Sequence, residues 1–298
     1  MSGLTGTAVP PPRWHSHSYN RAVLYRLAEA PGMVPRRARL ALARGLGRLA
    51  PHVFPREHLA VRRTLEVMTG AAGARLDRLA TDVFRNFAMC FADLVSTNRA
   101  SGDRLLRHVG SVSGADHVDG MSGGIVSVTA HLGNWELAGR LLAGRSARRT
   151  HVVVAPDVPE LGRWLRRDGD GMRFVPRVSP AVGLELLTAL RRGEVVAMQG
   201  DRALGTRGDV VIPFFGRPAC FPLGPFLLAR AAGAAVVPAF CLLDGDHRYH
   251  VRVAKPMLVE RGDEEAAARA WVSALEDVAR EHPTQWFNFF DVWGPPPR

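Results

Sequence analysis

A histidine and a glutamate five residues apart, His131 and Glu136, stand where a strand pattern gives way to a helix pattern. The residues before them, 124–130, form an apolar run with β-branched side chains. Residues five apart on one continuous helix point about 140° away from each other. The two side chains can therefore meet only if the chain turns between them, which Gly133 and Asn134 permit. The expected geometry is a carboxylate bound to one imidazole nitrogen while the other nitrogen faces a cleft, as in a general base that activates a hydroxyl.

The six residues His131-Leu-Gly-Asn-Trp-Glu136 resemble the His-x4-Asp/Glu box of the glycerolipid and lipid A acyltransferases. The full box is similar to that of the late lipid A (lauroyl/myristoyl) acyltransferases and the related phosphatidylinositol mannoside acyltransferases. This resemblance implies transfer of a fatty acyl group from an acyl carrier protein or acyl-CoA thioester to a hydroxyl of a membrane lipid or glycolipid. In that reaction His131 would take the proton from the acceptor hydroxyl, and Glu136 would fix the imidazole tautomer. The backbone N–H groups of Gly133 and Asn134 would receive the negative charge of the transition state.

A second box begins with Asp201 and Arg202, directly after a predicted strand at 194–198. An arginine at a strand end can hold a phosphate through two parallel hydrogen bonds. Asp-Arg, a spacer and Pro-Phe-Phe-Gly at 213–216 look like the second block of the same acyltransferases. Family members often carry another acid two residues after the first, where this chain has Ala203. Asp201 and Arg202 are therefore predicted to bind substrate.

Arg177 is a second candidate for a substrate phosphate. No His-Glu-x-x-His pattern is present, and the three cysteines are too far apart for a zinc site. We therefore predict no metal and no cofactor apart from the acyl donor. Few, widely spaced cysteines also suit a reducing compartment.

The chain carries a net charge of +11, and only one of its 39 basic residues is a lysine. Such a surface attracts polyanions: nucleic acid, an anionic membrane face or an acidic carrier protein. Residues 1–70 hold eleven arginines against three glutamates, a net of about +8. A helix predicted from Pro35 to about Leu49 has leucines on one side and arginines on the other: Leu42, Leu46 and Leu49 against Arg37, Arg44 and Arg48. This face either packs on its own domain or holds the protein at a membrane.

Length and pattern predict the architecture. A chain of 298 residues with 47% apolar residues can bury one large core. Strands that alternate with helices after residue 124 predict a single α/β domain, with a largely parallel mixed sheet flanked by helices, as in the glycerolipid acyltransferases. We predict three parts: a flexible tail at 1–18, a helical and membrane-facing part at 19–100, and the α/β core at 101–298.

No apolar run reaches 18 residues without a charge, and the N-terminus lacks a signal-peptide pattern, so no spanning helix is predicted. With the resemblance, this indicates a peripheral protein at the cytoplasmic face of the membrane. One alternative is a basic nucleic-acid-binding protein, which explains the charge but not the His box, so no nucleic-acid partner is predicted. The other is an esterase or thioesterase with the same dyad, although the chain has no Gly-x-Ser-x-Gly elbow.

Overall fold

The fold is described from a computed structural model. It describes residues 34–97, 106–139, 148–154, 171–178 and 181–293. The predicted tail at 1–18, a helix predicted at 20–30 and a helical piece predicted at 161–167 lie outside these residues.

Among the residues that the structure describes, three helices precede the sheet: α1 (Arg36–Val53), α2 (Pro55–Thr69) and α3 (Gly73–Thr97). The helix predicted to start at Pro35 is therefore present. Its contact with α3 depends on Gly47, because a Cβ atom there would lie 2.7 Å from the Cα atom of Arg85. The face of α1 that packs on α3 carries Leu40, Ala43 and Gly47, so small residues allow the two helices to approach closely.

In the described ranges, ten strands and three further helices follow, besides the helix that begins at Trp135. The strands are β1 (Val109–Ser113), β2 (Ile125–Thr129), β3 (Thr150–Val154), β4 (Met172–Pro176), β5 (Val195–Gln199), β6 (Asp209–Phe214), β7 (Arg217–Pro222), β8 (Ala235–Leu243), β9 (Tyr249–Val253) and β10 (Met257–Leu258). The helices are α4 (Val182–Arg191), α5 (Gly224–Ala232) and α6 (Glu264–Glu281). The main sheet has the order β1-β9-β8-β2-β5-β3-β4, with β10 beside β8, and β6 and β7 form a separate hairpin. All neighbours in the main sheet are parallel except the pairs of β8 with β9 and with β10, which confirms the predicted mixed sheet.

The sheet separates two cores, as alternate residues of β8 show. Phe240 and Leu242 belong to a core that also contains buried side chains of α4, α5 and α6. Cys241 and Leu243 point to the other face, into a core shared with α1, α2 and α3. Helices therefore cover both faces, and the central strand β2 has four buried residues out of five.

The register of two parallel strands determines where chemistry can occur. Thr129, the last residue of β2, lies beside Gln199, the last residue of β5. His131 and Asp201 each lie two residues beyond this aligned pair. The strand register therefore brings the histidine and the aspartate to the same point on the carboxyl edge of the sheet.

A buried polar network ties the N-terminal helices to the sheet. Asp93 of α3 is fully buried and accepts hydrogen bonds from Nε and Nη2 of Arg36 at 3.0 and 2.7 Å. The same carboxylate accepts a hydrogen bond from the hydroxyl of Tyr249 on β9 at 2.9 Å. The phenolic oxygen of Tyr249 in turn accepts a hydrogen bond from Nδ2 of Asn134 at 3.0 Å.

We expect Asp93→Ala to lower the free energy of unfolding by roughly 3–5 kcal/mol, because it leaves the Arg36 charge without its carboxylate. Asp77→Ala is the matched control, since its partner Arg62 lies 3.1 Å away and both side chains are more than one third exposed. That change should cost less than about 1 kcal/mol. Urea unfolding of the two variants measures both values, and equal losses would contradict a special role for the buried pair.

Candidate active site

His131 lies just after β2 and is held by one carboxylate. Its Nδ1 atom lies 2.8 Å from Oδ1 of Asp201, and its backbone N–H donates to Oδ2 at 3.0 Å. The edge of the Trp135 ring packs against the imidazole, with the ring centroids 4.9 Å apart. His131 and Asp201 are both buried, which makes their hydrogen bonds strong and their orientation fixed.

Asp201 uses both carboxylate oxygens within the protein. Besides the two bonds from His131, Oδ2 accepts a hydrogen bond from Nε1 of Trp286 at 3.0 Å. Burial by itself would raise the pKa of this carboxyl group, but His131, Arg202 and Trp286 together hold the pKa well below its usual range. Asp201 is therefore an ionised carboxylate that only accepts hydrogen bonds.

The imidazole is neutral and its tautomer is determined by that partner. Burial lowers the pKa of His131 below its usual value, the positive charge of Arg202 lowers it further, and Asp201 opposes them. Because the carboxylate can only accept, the proton of the neutral ring lies on Nδ1. The Nε2 atom then carries the lone pair, as a general base requires.

From the sequence, Glu136 was expected to bind one nitrogen of the imidazole and orient the ring. In the structure the carboxylate at Nδ1 is that of Asp201. Glu136 lies on the first turn of the helix that begins at Trp135 and is partly exposed. The physical reason is the long-range pairing of β2 with β5, which delivers residue 201 to the imidazole from another strand. Asp201 was predicted to bind substrate, whereas its oxygens face His131 and Trp286.

The backbone amides expected to stabilise an oxyanion donate hydrogen bonds within the protein. The N–H of Gly133 donates to the carbonyl of Gln285 at 2.8 Å, and that of Asn134 donates to the carbonyl of Cys241 at 2.7 Å. Gly133 has a φ of +61°, and a Cβ atom there would lie 2.0 Å from the Cys241 oxygen, so this contact requires glycine. In this structure both N–H groups are therefore engaged within the protein, and their role as oxyanion donors stays a prediction.

The Asn134 side chain forms hydrogen bonds with groups of the protein itself. Its Oδ1 atom accepts a hydrogen bond from the N–H of Leu137 at 3.3 Å, which caps the helix after the histidine. Its Nδ2 atom donates to the carbonyl of Cys90 and to the hydroxyl of Tyr249. Asn134 is buried, and these contacts connect the helix start to α3 and β9 rather than to a substrate.

Arg202 lies beside the His–Asp pair and is bound to the C-terminal segment. Its Nε atom donates to Oδ1 of Asn288 at 3.3 Å, and Nη2 donates to the carbonyl of Phe287 at 3.1 Å. The guanidinium carbon also lies 5.4 Å from the ring centroid of Phe290. Arg177 follows β4 at the same edge of the sheet. Burial lowers the pKa of its side chain, whereas the charge of Asp209 acts to raise it.

Residues 285–288 complete the site. The N–H of Phe287 donates to the carbonyl of His131 at 2.7 Å, and Trp286 binds the carboxylate of Asp201. These aromatic residues are also similar to the C-terminal segment of the acyltransferases, and their sequence predicted packing on the sheet or contact with the membrane interface, not contact with His131 and Asp201. The segment's apolar composition is the signal, whereas the groups it contacts at the site, in Arg202, Asp201 and His131, lie 85 or more residues away along the chain.

In the ranges that the structure describes, no group of three or more His, Cys, Asp or Glu side chains has a spacing that could hold a metal ion. None of the helices in those ranges combines the length and the apolar character needed to span a bilayer.

The family model of the bacterial lipid A biosynthesis acyltransferases matches residues 22–294. The chain belongs to this family. The resemblance predicted from the two boxes is thereby confirmed.

Several known proteins are similar to this lipid A acyltransferase family member. The phosphatidylinositol mannoside acyltransferase of Mycobacterium tuberculosis is 30% identical over 191 residues, which cover 61% of the chain and 59% of that relative. The chain thus spans less than two thirds of that relative's length. The lipid A biosynthesis lauroyltransferase of Escherichia coli is 29% identical over 239 residues, 78% of the chain and 75% of that protein. A solved 1-acyl-sn-glycerophosphate acyltransferase from Thermotoga maritima has a TM-score of 0.41 and 14% identity, and the match covers 85% of this chain and 100% of that one.

We expect the imidazole of His131 in this family member to titrate below its usual pKa of 6.5. In Asp201→Asn the pKa should fall further, because the carboxylate favours the protonated ring. Trp286→Phe removes one hydrogen-bond donor to Asp201 but keeps the charge of the carboxylate. The pKa of His131 in this variant should therefore stay closer to the wild-type value. NMR titration of labelled histidine measures all three, and a wild-type pKa above 6.5 would contradict the lowering of the pKa by burial and Arg202.

Proposed function

We propose that this chain transfers a fatty acyl group from a thioester of acyl carrier protein or CoA to a hydroxyl of a lipid or glycolipid. The observation that carries the proposal is the buried His131–Asp201 pair, which leaves Nε2 of the imidazole as the basic atom. Family membership supports acyl transfer. Two relatives are named as acyltransferases for a phosphatidylinositol mannoside and in lipid A biosynthesis, which supports a glycolipid acceptor.

The proton transfers of the proposed reaction use the His131–Asp201 pair and the two substrates. Nε2 of His131 takes the proton of the acceptor hydroxyl while the hydroxyl oxygen attacks the thioester carbonyl. Asp201 stabilises the imidazolium that forms and holds its tautomer. The tetrahedral intermediate then expels the thiolate, which receives the proton from Nε2, so the products are an ester and a free thiol. No metal or further cofactor takes part in this scheme.

Three other charged residues have proposed roles. Arg202 and Arg177, both at the carboxyl edge of the sheet, would bind phosphate groups of the donor or the acceptor. Glu136 lies on the first turn of the helix that follows the histidine. Because Asp201 already binds Nδ1 of His131, we assign Glu136 to contacts with the substrate.

We expect His131→Ala to lower kcat by about 10²–10⁴-fold with little change in substrate binding, because the general base is lost. Asp201→Asn should lower kcat by a comparable factor, because the asparagine amide can donate to Nδ1 and favour the wrong tautomer. Glu136→Gln compares the box glutamate directly with the aspartate. The assay measures labelled acyl groups transferred from acyl carrier protein or CoA to extracted lipids, with mass spectrometry of the product.

The outcomes separate the possible functions. A fully active and folded His131→Ala variant would overturn the proposed base. Release of free fatty acid without an acylated lipid would identify a hydrolase instead. A larger loss in Glu136→Gln than in Asp201→Asn would return the orienting role to the glutamate.

We also propose that α1 rests on an anionic membrane at the cytoplasmic face. Four apolar side chains form an exposed stripe along this helix: Leu42 at 57%, Leu46 at 59%, Leu49 at 59% and Val53 at 67%. Their spacing places them on one face, separate from the face that packs on α3. Between residues 34 and 69 there are eight arginines and two glutamates, which supports an anionic partner surface.

We expect replacement of Leu42, Leu46 and Leu49 by glutamine to reduce binding to vesicles that contain phosphatidylglycerol at least tenfold, because apolar area no longer enters the bilayer. Glutamine at Leu184 and Leu258, which are 70% and 78% exposed, provides the matched control and should leave binding unchanged. Vesicle flotation measures the bound fraction. Equal loss in both variants, or equal binding to neutral vesicles, would contradict the assignment of α1.

A further inference from the structure

Attack on a thioester places negative charge on the carbonyl oxygen, and an enzyme needs hydrogen-bond donors at that point. Around the helix start, three backbone donors are already engaged. The N–H of His131 binds Asp201, and those of Gly133 and Asn134 bind backbone carbonyls. A donor for the developing charge can also come from a side chain beside the His–Asp pair.

Asn288 carries such a donor. Its side chain is buried, with 1% of its surface exposed, and its Oδ1 atom accepts the hydrogen bond from Nε of Arg202. Because a guanidinium can only donate, the oxygen must face Arg202 and the NH₂ group must point away from it. The Nδ2 atom is buried and has no hydrogen-bond partner. An unpaired buried donor costs about 1–3 kcal/mol, so its presence calls for a functional explanation.

The position of Asn288 links this donor to the His–Asp pair. The residue before it, Phe287, binds the carbonyl of His131 through its N–H, and Arg202 directly follows Asp201 in the chain. Other buried unpaired atoms among the described residues, such as Oγ1 of Thr64 and of Thr150, belong to the helical part and to the start of β3.

We propose that Asn288 is a catalytic residue whose Nδ2 group donates a hydrogen bond to the thioester oxygen. This inference rests on the proposed acyl transfer. As the acceptor oxygen forms its bond to the carbonyl carbon, the π electron pair moves to the carbonyl oxygen, where Nδ2–H stabilises it. The pair returns when the carbon–sulfur bond breaks and the thiolate leaves. Arg202 is then a positioning residue, because it fixes which end of the amide faces the substrate.

The variant Asn288→Asp separates this role from a structural one. A carboxylate keeps an acceptor for Arg202 and the shape of the side chain, but it removes the donor. We expect kcat to fall by about 10²–10³-fold with KM almost unchanged. If Asn288 only anchored Arg202, the variant would stay active, because a carboxylate accepts from a guanidinium at least as well as an amide does.

A neutral variant and a matched amide complete the experiment. Asn288→Leu loses both functions of the side chain without adding charge and should show a similar loss of kcat. Asn86→Asp alters an amide whose Nδ2 is already paired with Thr284, and it should retain wild-type kcat. Each kcat is taken from the plateau of a full pH profile, so that a change in the pKa of His131 is not mistaken for the loss of the Nδ2 donor.

The failures are distinguishable. Wild-type kcat in Asn288→Asp, together with an inactive His131→Ala, overturns the role of Asn288 alone. Full activity in His131→Ala overturns the proposed function itself. An inactive Asn288→Leu beside an active Asn288→Asp identifies the residue as an anchor for Arg202 and also overturns the proposal. A thermal melt of each variant verifies that the compared proteins are folded.

Discussion

The site depends on one buried ionic contact, the hydrogen bond between Nδ1 of His131 and the carboxylate of Asp201. Neither residue could hold this geometry alone, because each stands on a short stretch of chain beyond a strand end. The parallel register of β2 and β5 supplies the alignment, and Trp286 supplies another donor that keeps the carboxylate ionised. A neutral imidazole with its lone pair on Nε2 follows from this contact. The chemistry proposed for the chain is a consequence of strand pairing.

The same region also joins the helical part to the sheet. Asn134 caps the helix after the histidine and donates to Tyr249, which binds the carboxylate that pairs with Arg36 on α1. The helix with the exposed leucine stripe is thus connected to the site by a chain of buried hydrogen bonds. A surface that meets a lipid bilayer and a base that acts on a lipid hydroxyl would then be parts of one rigid unit.

Local patterns in the sequence predicted much of this structure. The apolar runs indicated β2 and β5, and the helical period located α1. Periodicity alone could not show which side of α1 packs, because the small residues Ala43 and Gly47 form the contact face while larger leucines stay outside. The histidine was found by its position at a strand end. The contact of its Nδ1 atom with Asp201 was not predicted, because strand order and register depend on contacts between distant residues, which local spacing does not encode.

The C-terminal segment has a consequence for synthesis. Trp286 and Phe287 bind groups that were translated 85 and 156 residues earlier, and Arg202 is tied to the same stretch. A ribosome must therefore complete nearly the whole domain before the imidazole has its full set of neighbours. Until then Asp201 lacks the Trp286 donor, and Arg202 lacks its acceptors in Phe287 and Asn288.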